Sequence, residues 1–390
     1  MAATRRRVAI IGSTGSIGRQ TLDVIRWLPE RFEVVGLAAG GYSDAFRAQL
    51  EEFRPALAAV GRTEDLALPA SVLSGTRGLV EVATSPEVDI VVIAAAGRAG
   101  LVPTLEAVSA SKTVALANKE SLVMAGQLVT EAARLSGAQI LPLDSEHSAL
   151  WQCLRGEGQL EQWLSTVRSV ILTASGGALR DLDPSELEMV TATQVLAHPT
   201  WQMGRKVTVD SATLMNKGLE IIEAQWLFGL PLERIKVLLH RESIVHSLVE
   251  FVDGSVKAQL GQADMRIPIQ YALSYPERLA GMSEPLDLAK VGSLTFGELD
   301  LDRYPCLRLA LEAARKGLSY PAVLSSANEV AVELFLAGEL PLPRSRAWSM
   351  SCCPGTRLCP SRACRRCCRW TSGLAASLWR MPGNGEIGSP

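Results

Sequence analysis

Short, nearly continuous apolar runs alternate with helix-period segments through the first 150 residues. Arg7–Ile11, Phe32–Ala39, Ala56–Val60, Val88–Ala95, Thr113–Ala117 and Gln139–Leu143 are dense in Val, Ile, Leu and Ala. Runs this short and this apolar fit strands covered on both faces. Between them, Gln20–Trp27, Leu101–Ala110 and Ser121–Leu135 place apolar residues three and four apart, the spacing of an amphipathic helix. This alternation predicts an α/β fold with an N-terminal doubly wound parallel sheet, Rossmann-like, over residues 1–150.

The pattern then changes. Ser165–Ala174 reads as a strand and Pro184–Ala197 as a helix. Ile235–His240 and Ile244–Val252 read as strands, and Asp253-Gly254 is a hairpin signal leading into Ser255–Leu260. A second, α+β domain over 151–290 is expected, for catalysis and dimer formation, followed by the start of a helical domain over 291–340. His240 and His246 alternate with apolar neighbours and read as sheet residues. Within this region, Val207–Glu223 is a polar run that merges into an apolar helix. Asp210 or Ser211 is placed to cap that helix. Asn216 and Glu220 share one face and Lys217 lies on the next stripe, so an amide, an ammonium and a carboxylate emerge together. The lysine and the hydroxyls suit a phosphate, and the carboxylate suits a hard cation or a proton. A surface helix with solvated Lys and Glu fits the same letters.

From Pro341 the periodicity stops. Residues 341–390 carry eight Arg, no Lys, no Asp and one Glu, with six Cys and three Trp. The chain's net charge of −2 therefore hides an acidic body, which excludes nucleic acid as the partner suggested by charge. Cys364 and Cys367 are spaced like half a zinc site, but no His follows position 246. An out-of-frame or otherwise altered terminus explains this composition better than a natively folded segment. The body has two isolated cysteines, Cys153 and Cys306, which suggests a reducing, cytoplasmic setting. No leader fits between the start and the first strand, and no apolar run approaches a membrane span.

Candidate chemistry lies where the strands end. GSTGSIG (Gly12–Gly18) follows the first strand and opens a helix, the context in which a glycine-rich turn holds a pyrophosphate; a merely structural turn is the alternative. No Asp or Glu follows the second strand, which favours NADPH over NADH, although the nearest basic residue there is Arg47. NKES (Asn118–Ser121) and DSEHSA (Asp144–Ala149) follow two further strands. Asp144 and Glu146, two apart, would point to one side of an extended chain. Paired carboxylates repel unless a cation or proton lies between them, and oxygen donors suit Mg²⁺ or Mn²⁺. Asp144 as a plain helix cap is the alternative. SGG (Ser175–Gly177) is a second phosphate-friendly turn. HPTWQMG (His198–Gly204) reads as a lid or as a loop pinned by Trp201.

These motifs, with LTASGGALR at Leu172, VDSATLMNKGLEIIEA at Val209 and SANEVAV at Ser326, occur in one order from about Arg7 to about Leu340. Together they resemble the 1-deoxy-D-xylulose 5-phosphate reductoisomerases of the non-mevalonate isoprenoid pathway. The resemblance implies rearrangement and reduction of a ketose phosphate to 2-C-methyl-D-erythritol 4-phosphate, with NADPH and Mg²⁺, Mn²⁺ or Co²⁺, in a homodimer with no membrane partner. It implies metal ligation by Asp144, Glu146 and Glu220, with Lys119 beside the reacting carbons. It implies substrate contacts from Ser145, Ser175, His198, Ser211, Asn216 and Lys217. NADPH would meet Thr14, Gly15, Ser16, Ile17, Gly40, Asn118, Glu120 and Gly204, and Trp201 and Met203 would belong to the lid. The sequence departs from the family at Gly41-Tyr42, where a Lys or Arg often follows the strand-end glycine, and in the tail, where further helices are expected. Two other readings are another NADP-dependent sugar-phosphate oxidoreductase and a form left inactive by the altered terminus.

Overall fold

A computed structural model describes residues 5–62, 68–158, 160–183 and 185–342. The tail expectation for 341–390 lies outside the described residues from position 343 onward. Pro341 and Leu342 are described, and Leu342 is buried.

The first sheet contains β1 (Arg6–Ile11), β2 (Phe32–Ala39), β3 (Leu57–Val60), β4 (Val72–Ser74), β5 (Ile90–Ile93), β6 (Thr113–Leu116) and β7 (Ile140–Pro142). Their order is β4-β3-β2-β1-β5-β6-β7 and every pairing is parallel. The crossovers are α1 (Ser16–Trp27), α2 (Asp44–Phe53), α3 (Gly75–Thr84), α4 (Leu101–Ser109) and α5 (Lys119–Ser136). The predicted doubly wound sheet is present. The strand predicted at Ala56–Val60 is β3, while α2, the three-residue β4 and α3 are additions to the predicted elements. Ala9, Ile11, Val91, Ile93, Leu116 and Leu122 sit in one buried cluster, which explains why these strands read as unbroken apolar runs. The strand order reverses between β1 and β5, so the crevice outside their carboxyl ends is where such sheets take ligands.

After α6 (Ser145–Leu154) and α7 (Leu160–Thr166) comes a four-stranded sheet. It contains β8 (Val167–Ala174), β9 (Ile235–Leu239), β10 (Val245–Phe251) and β11 (Val256–Leu260), in the order β11-β10-β8-β9. Only β8 and β9 run parallel. The Asp253-Gly254 turn joins β10 and β11 as the sequence predicts, with Asp253 Oδ1 accepting from the Ser255 amide at 2.9 Å.

The helix expected over Pro184–Ala197 is not continuous. A 3₁₀ turn at Glu186–Glu188 and a short α8 (Ala192–Leu196) replace it. Thr191 and Gln194 form a reciprocal capping box that starts α8 afresh, so local start signals override the apolar spacing. The remaining helices are α9 (Arg205–Ala212), α10 (Met215–Phe228), α11 (Arg266–Ser274), α12 (Leu288–Val291), α13 (Pro305–Lys316) and α14 (Tyr320–Leu336).

The chain forms two compact units. The first comprises residues through Gly176, Pro199–Gly204 and Leu219–Leu299. The second comprises Gly177–His198, Arg205–Gly218 and the chain from Asp300. The core of the second includes Leu179, Val195, Val209, Val332, Phe335 and Leu342. Among the described residues no helix is long and apolar enough to cross a membrane.

Candidate active site

The glycine-rich turn is built by close approach. Gly12 has φ of 98°, and a Cβ there would lie 2.6 Å from the Ala95 amide nitrogen. A Cβ on Gly18 would lie 2.2 Å from the Gly12 carbonyl oxygen. A larger residue at Gly12 would push the turn away from the chain leaving β5, and one at Gly18 would push α1 off the turn. Ser13 donates to Gln49 Oε1 at 2.7 Å and Gln49 returns a bond to the Ser13 carbonyl at 3.0 Å, holding the turn from below. Thr14, Gly15, Ser16 and Ile17 thus cross from the end of β1 into the first turn of α1, where backbone N–H groups attract anions. Gly40 follows β2 with open space at its Cα. Asn118 caps α5 through a bond from the Ser121 amide at 2.9 Å, and donates to the Ala95 and Gly97 carbonyls at 2.8 Å each and to Glu120 at 3.0 Å. Its side chain joins the ends of β5 and β6.

Beside this turn in the sheet's strand order, β6 and β7 end in a charged cluster. Asp144 and Glu146 are not on extended backbone. Asp144 is the residue before α6 and Glu146 lies in its first turn, and the Asp144 side chain makes no capping bond. The helix start still brings them together. Carboxylate oxygens of Asp144, Glu146 and Glu220 lie within 4.8 Å of one another. Lys119, at the start of α5, is 3.1 Å from Asp144 Oδ2 and 3.9 Å from Glu220 Oε1. Burial alone would lower the Lys119 pKa. Asp144, Glu220, Glu223 and Glu120 outweigh it and carry the ammonium well above its ordinary value.

His147 lies behind this cluster, fully buried. Its Nε2 is 2.9 Å from the Glu220 carbonyl oxygen, which can only accept, so Nε2 carries a proton. Nδ1 then faces Asp144 Oδ2 at 3.4 Å and Glu223 Oε2 at 3.8 Å. Burial pulls the imidazole down, but Glu223, Asp144 and Glu220 raise it to about 9. Burial pushes Glu223 up to about 7. Asp144, His147 and Glu223 also lie within ligand reach of one another, but a proton held on Nδ1 makes His147 an internal counter-ion. Four carboxylates against one ammonium and one imidazolium leave the cluster negative. Its nearest donor set is oxygen-only, which fits a hard divalent cation.

The second unit holds a polar group of the opposite kind. Asp210 and Ser211 do not cap α10. They lie in the last turn of α9, and α10 starts at Met215 after Leu214, which has φ of 55°. The solvated-helix reading is overturned, because Lys217 is 3% exposed and Glu220 is fully buried. Gly177, with φ of 73°, lies so close to α9 that a Cβ would come within 2.6 Å of the Ser211 carbonyl. His198 is pushed down to about 4, by burial first and then by Arg180, so it stays neutral at neutral pH. His198, Ser211, Asn216 and Lys217 all belong to this unit, whereas Ser145 and Ser175 belong to the first, at the ends of β7 and β8. Gly204 and the half-buried Trp201 and Met203 lie in Pro199–Gly204, where the Trp201 ring is 5.9 Å from that of His246.

Glu223 and its partnership with His147 were not foreseen. The sequence held the signal: Glu223 follows Glu220 by three residues, so the two share a helix face. Asp210, read as a cap, instead accepts a 2.8 Å bond from Asn328.

Three family models match this chain. They are the 1-deoxy-D-xylulose 5-phosphate reductoisomerase model over residues 8–126, its C-terminal domain model over 140–228, and the DXP reductoisomerase C-terminal domain model over 260–345. The chain is 52% identical over 349 residues to the 1-deoxy-D-xylulose 5-phosphate reductoisomerase of Geobacillus kaustophilus, covering 87% of this chain and 90% of that one. It is 53% identical over 345 residues to that of Pelotomaculum thermopropionicum, covering 86% and 88%. A crystal structure of DOX-P reductoisomerase in complex with NADPH, fosmidomycin and magnesium superimposes with a TM-score of 0.84 at 40% identity, covering 98% of this chain and all of that one. The Zymomonas mobilis enzyme in complex with NADPH gives 0.82 at 37% identity, covering 97% and 100%. A parallel sheet with its glycine-rich turn, a carboxylate trio at the sheet's carboxyl edge and these matches along nearly the whole described chain lead to one conclusion: the chain belongs to the 1-deoxy-D-xylulose 5-phosphate reductoisomerase family.

Proposed function

We propose that this chain converts 1-deoxy-D-xylulose 5-phosphate to 2-C-methyl-D-erythritol 4-phosphate with NADPH and a divalent cation. The observation that carries this reading is the Asp144–Glu146–Glu220 trio with Lys119 against it. Plain hydride transfer needs no such set, whereas breaking and remaking a C–C bond beside a carbonyl does. A cation bound there would serve as Lewis acid and as template for two neighbouring substrate oxygens. Mg²⁺ and Mn²⁺ suit the donors best, and Co²⁺ is the further candidate.

The chain's own residues divide the remaining work. Lys119 places a positive charge where negative charge builds up on the oxygens of the reacting carbons. Ser145, beside Glu146, offers a hydroxyl to the same substrate end. Ser175, His198, Ser211, Asn216 and Lys217 hold the phosphate, and that remote binding offsets the cost of orienting the reactive end. His198 serves as a neutral hydrogen-bonding group. NADPH lies along Thr14–Ile17, Gly40, the Asn118–Glu120 strand end and Gly204. Ser43 Oγ is engaged in capping α2 at 3.2 Å from the Phe46 amide. That hydroxyl keeps its own proton to donate, and Arg47, in an exposed 3.0 Å pair with Asp44, is the nearest basic residue, so the 2′-phosphate contact rests on Ser43 or Arg47. Trp201 and Met203 close over the substrate and exclude water from the aldehyde. The working assembly is a cytoplasmic homodimer. Its protomer is divided into a dinucleotide domain (1–150), a catalytic and dimerisation domain (151–290) and a helical domain from 291.

Product identification by NMR separates this reading from its rival. A branched 2-C-methyl tetritol phosphate is expected. An unbranched 1-deoxypentitol phosphate would mean simple ketose reduction, the activity of a different sugar-phosphate oxidoreductase.

A further inference from the structure

The SANEVAV motif on α14 has no part in the chemistry above, yet its asparagine is buried against the segment that carries the phosphate residues. Asn328, 6% exposed, donates from Nδ2 to Asp210 Oδ1 at 2.8 Å, and Asp210 is 1% exposed. Lys206 Nζ lies 2.8 Å from the other oxygen, Asp210 Oδ2. Asp210 directly precedes Ser211, and the turn that follows is tightly specified. Thr213 Oγ1 donates to the Asp210 carbonyl at 3.2 Å and accepts from the Met215 amide at 3.3 Å, while Leu214 adopts left-handed backbone. On the far side of the turn, a Cβ on Gly218 would lie 2.3 Å from Ala310 Cβ on α13. Helices α13 and α14 therefore hold the α9–α10 turn at both ends.

We propose that Asn328 is a positioning residue for substrate binding: it acts through Asp210 to set the α9–α10 turn that presents Ser211, Asn216 and Lys217. The proposal rests on the phosphate role given to those residues above. A bond from a buried amide to a carboxylate contributes enough that its loss should be read in affinity rather than in folding alone.

The test is steady-state kinetics of the full chain with 1-deoxy-D-xylulose 5-phosphate, NADPH and Mg²⁺. Asn328→Ala should raise the substrate KM about tenfold, with kcat and the NADPH dissociation constant changed by less than about twofold. The exchange Asn328→Asp with Asp210→Asn reverses the donor and acceptor but gives up the Lys206 pair, so it is compared with Asp210→Asn alone, over which it should recover most of the KM. Lys217→Ala is the control for the phosphate reading. If it raises KM while Asn328→Ala does not, the positioning role is wrong. Equal losses in kcat, KM and cofactor affinity for Asn328→Ala, or no recovery in the exchange, would reduce Asn328 to a folding contact and overturn the proposal. If Lys217→Ala leaves KM unmoved, the phosphate reading falls and this proposal falls with it.

A different observation concerns the sequence beyond Leu342. The C-terminal family model stops at residue 345, although the two relatives' matched regions leave roughly a tenth of their own length uncovered. The six Cys and three Trp beyond Pro341 all have codons beginning TG. In a frame that joins the third base of each codon to the first two of the next, each of these becomes NTG, which encodes only Leu, Met or Val. Ser codons of the TC type become NTC, which encodes Phe, Leu, Ile or Val. Met350 becomes NAT, which encodes Tyr, His, Asn or Asp. Residues 348, 352 and 353 then become apolar and 350 polar, and Ser345, Ser349 and Ser351 become apolar wherever they use TC codons. With 345 and 349 apolar, positions 345, 348, 349, 352 and 353 form the i, i+3, i+4, i+7, i+8 stripe of an amphipathic helix. Positions 364, 367 and 368 repeat it.

We infer that the chain beyond about Leu342 is translated out of the frame that encodes the preceding residues. Sequencing the gene across these codons is decisive. Aliphatic or Phe codons at 345 and 349 and an open shifted frame through position 379 are expected, and restoring the frame should raise the melting temperature. A stop codon before position 370, or a polar codon at 345 or 349, would overturn the inference.

Discussion

Two histidines in this chain, one fully buried and one half-buried, are pushed in opposite directions. His147, in the first unit, is raised to about 9, and His198, in the second, is lowered to about 4. Burial lowers both, so the neighbours decide the sign. Around His147 stand Asp144, Glu220 and Glu223, a surplus of negative charge that calls for cations. Beside His198 stands Arg180, and the same unit holds the buried Lys217. The first gathers negative charge that suits a cation, and the second is the region to which we assign the substrate's phosphate.

The contrast can be broken most severely at the acidic cluster. Glu220→Gln should cut metal-dependent turnover by at least about a hundredfold while leaving NADPH affinity unchanged. Retained turnover at saturating Mg²⁺ would remove Glu220 from the metal set. On the anion side, Lys217→Ala should raise the substrate KM by roughly ten- to a hundredfold, the cost of a charge-assisted hydrogen bond. Wild-type KM would contradict a phosphate contact.

A smaller effect should separate the two histidines by pH. In metal-free protein, His147 binds its proton more tightly when folded. Its contribution is therefore complete below about 6.5, the unfolded value, and is lost as pH rises towards 9. Glu223, raised to about 7, adds to the loss between about 4.5 and 7, because its folded form also retains the proton. His198 has the opposite sign: the unfolded imidazole takes a proton that the folded one refuses, so stability is lost as pH falls from about 6.5 towards 4. Thermal melts with chelator present should show both limbs, His147→Gln flattening the alkaline one and His198→Gln the acid one. If either substitution left its limb unchanged, the charge environment assigned to that histidine would be wrong.

Much of this is legible in the sequence. The parallel sheet was plain because both faces of β1, β2, β5 and β6 are covered, which forces unbroken apolar runs. The ends of β1, β6 and β7 point to Gly12–Gly18, Lys119, and Asp144 with Glu146. Elements defined by local polar bonds were less accessible. Thr191 and Gln194 restart a helix that apolar spacing alone runs together. Asp210 looked like a cap because Asp is a good one, but its partner Asn328 lies 118 residues away and no local pattern encodes that pairing. Glu223 passed as an ordinary helix residue because nothing in EIIE announces a buried histidine opposite it. The sequence shows which residue types converge on a strand end, while the partner that settles a buried charge comes from tertiary packing.

The central claim is that the acidic cluster, loaded with a divalent cation, is required for NADPH-dependent turnover of one phosphorylated ketose. NADPH oxidation by the full 390-residue chain with 1-deoxy-D-xylulose 5-phosphate tests it most directly, run with Mg²⁺ or Mn²⁺ and again with chelator. The account predicts oxidation that requires both the ketose phosphate and the cation and stops when either is withheld. Oxidation that continues unchanged in chelator, or none with cation present and NADPH bound normally, would contradict it.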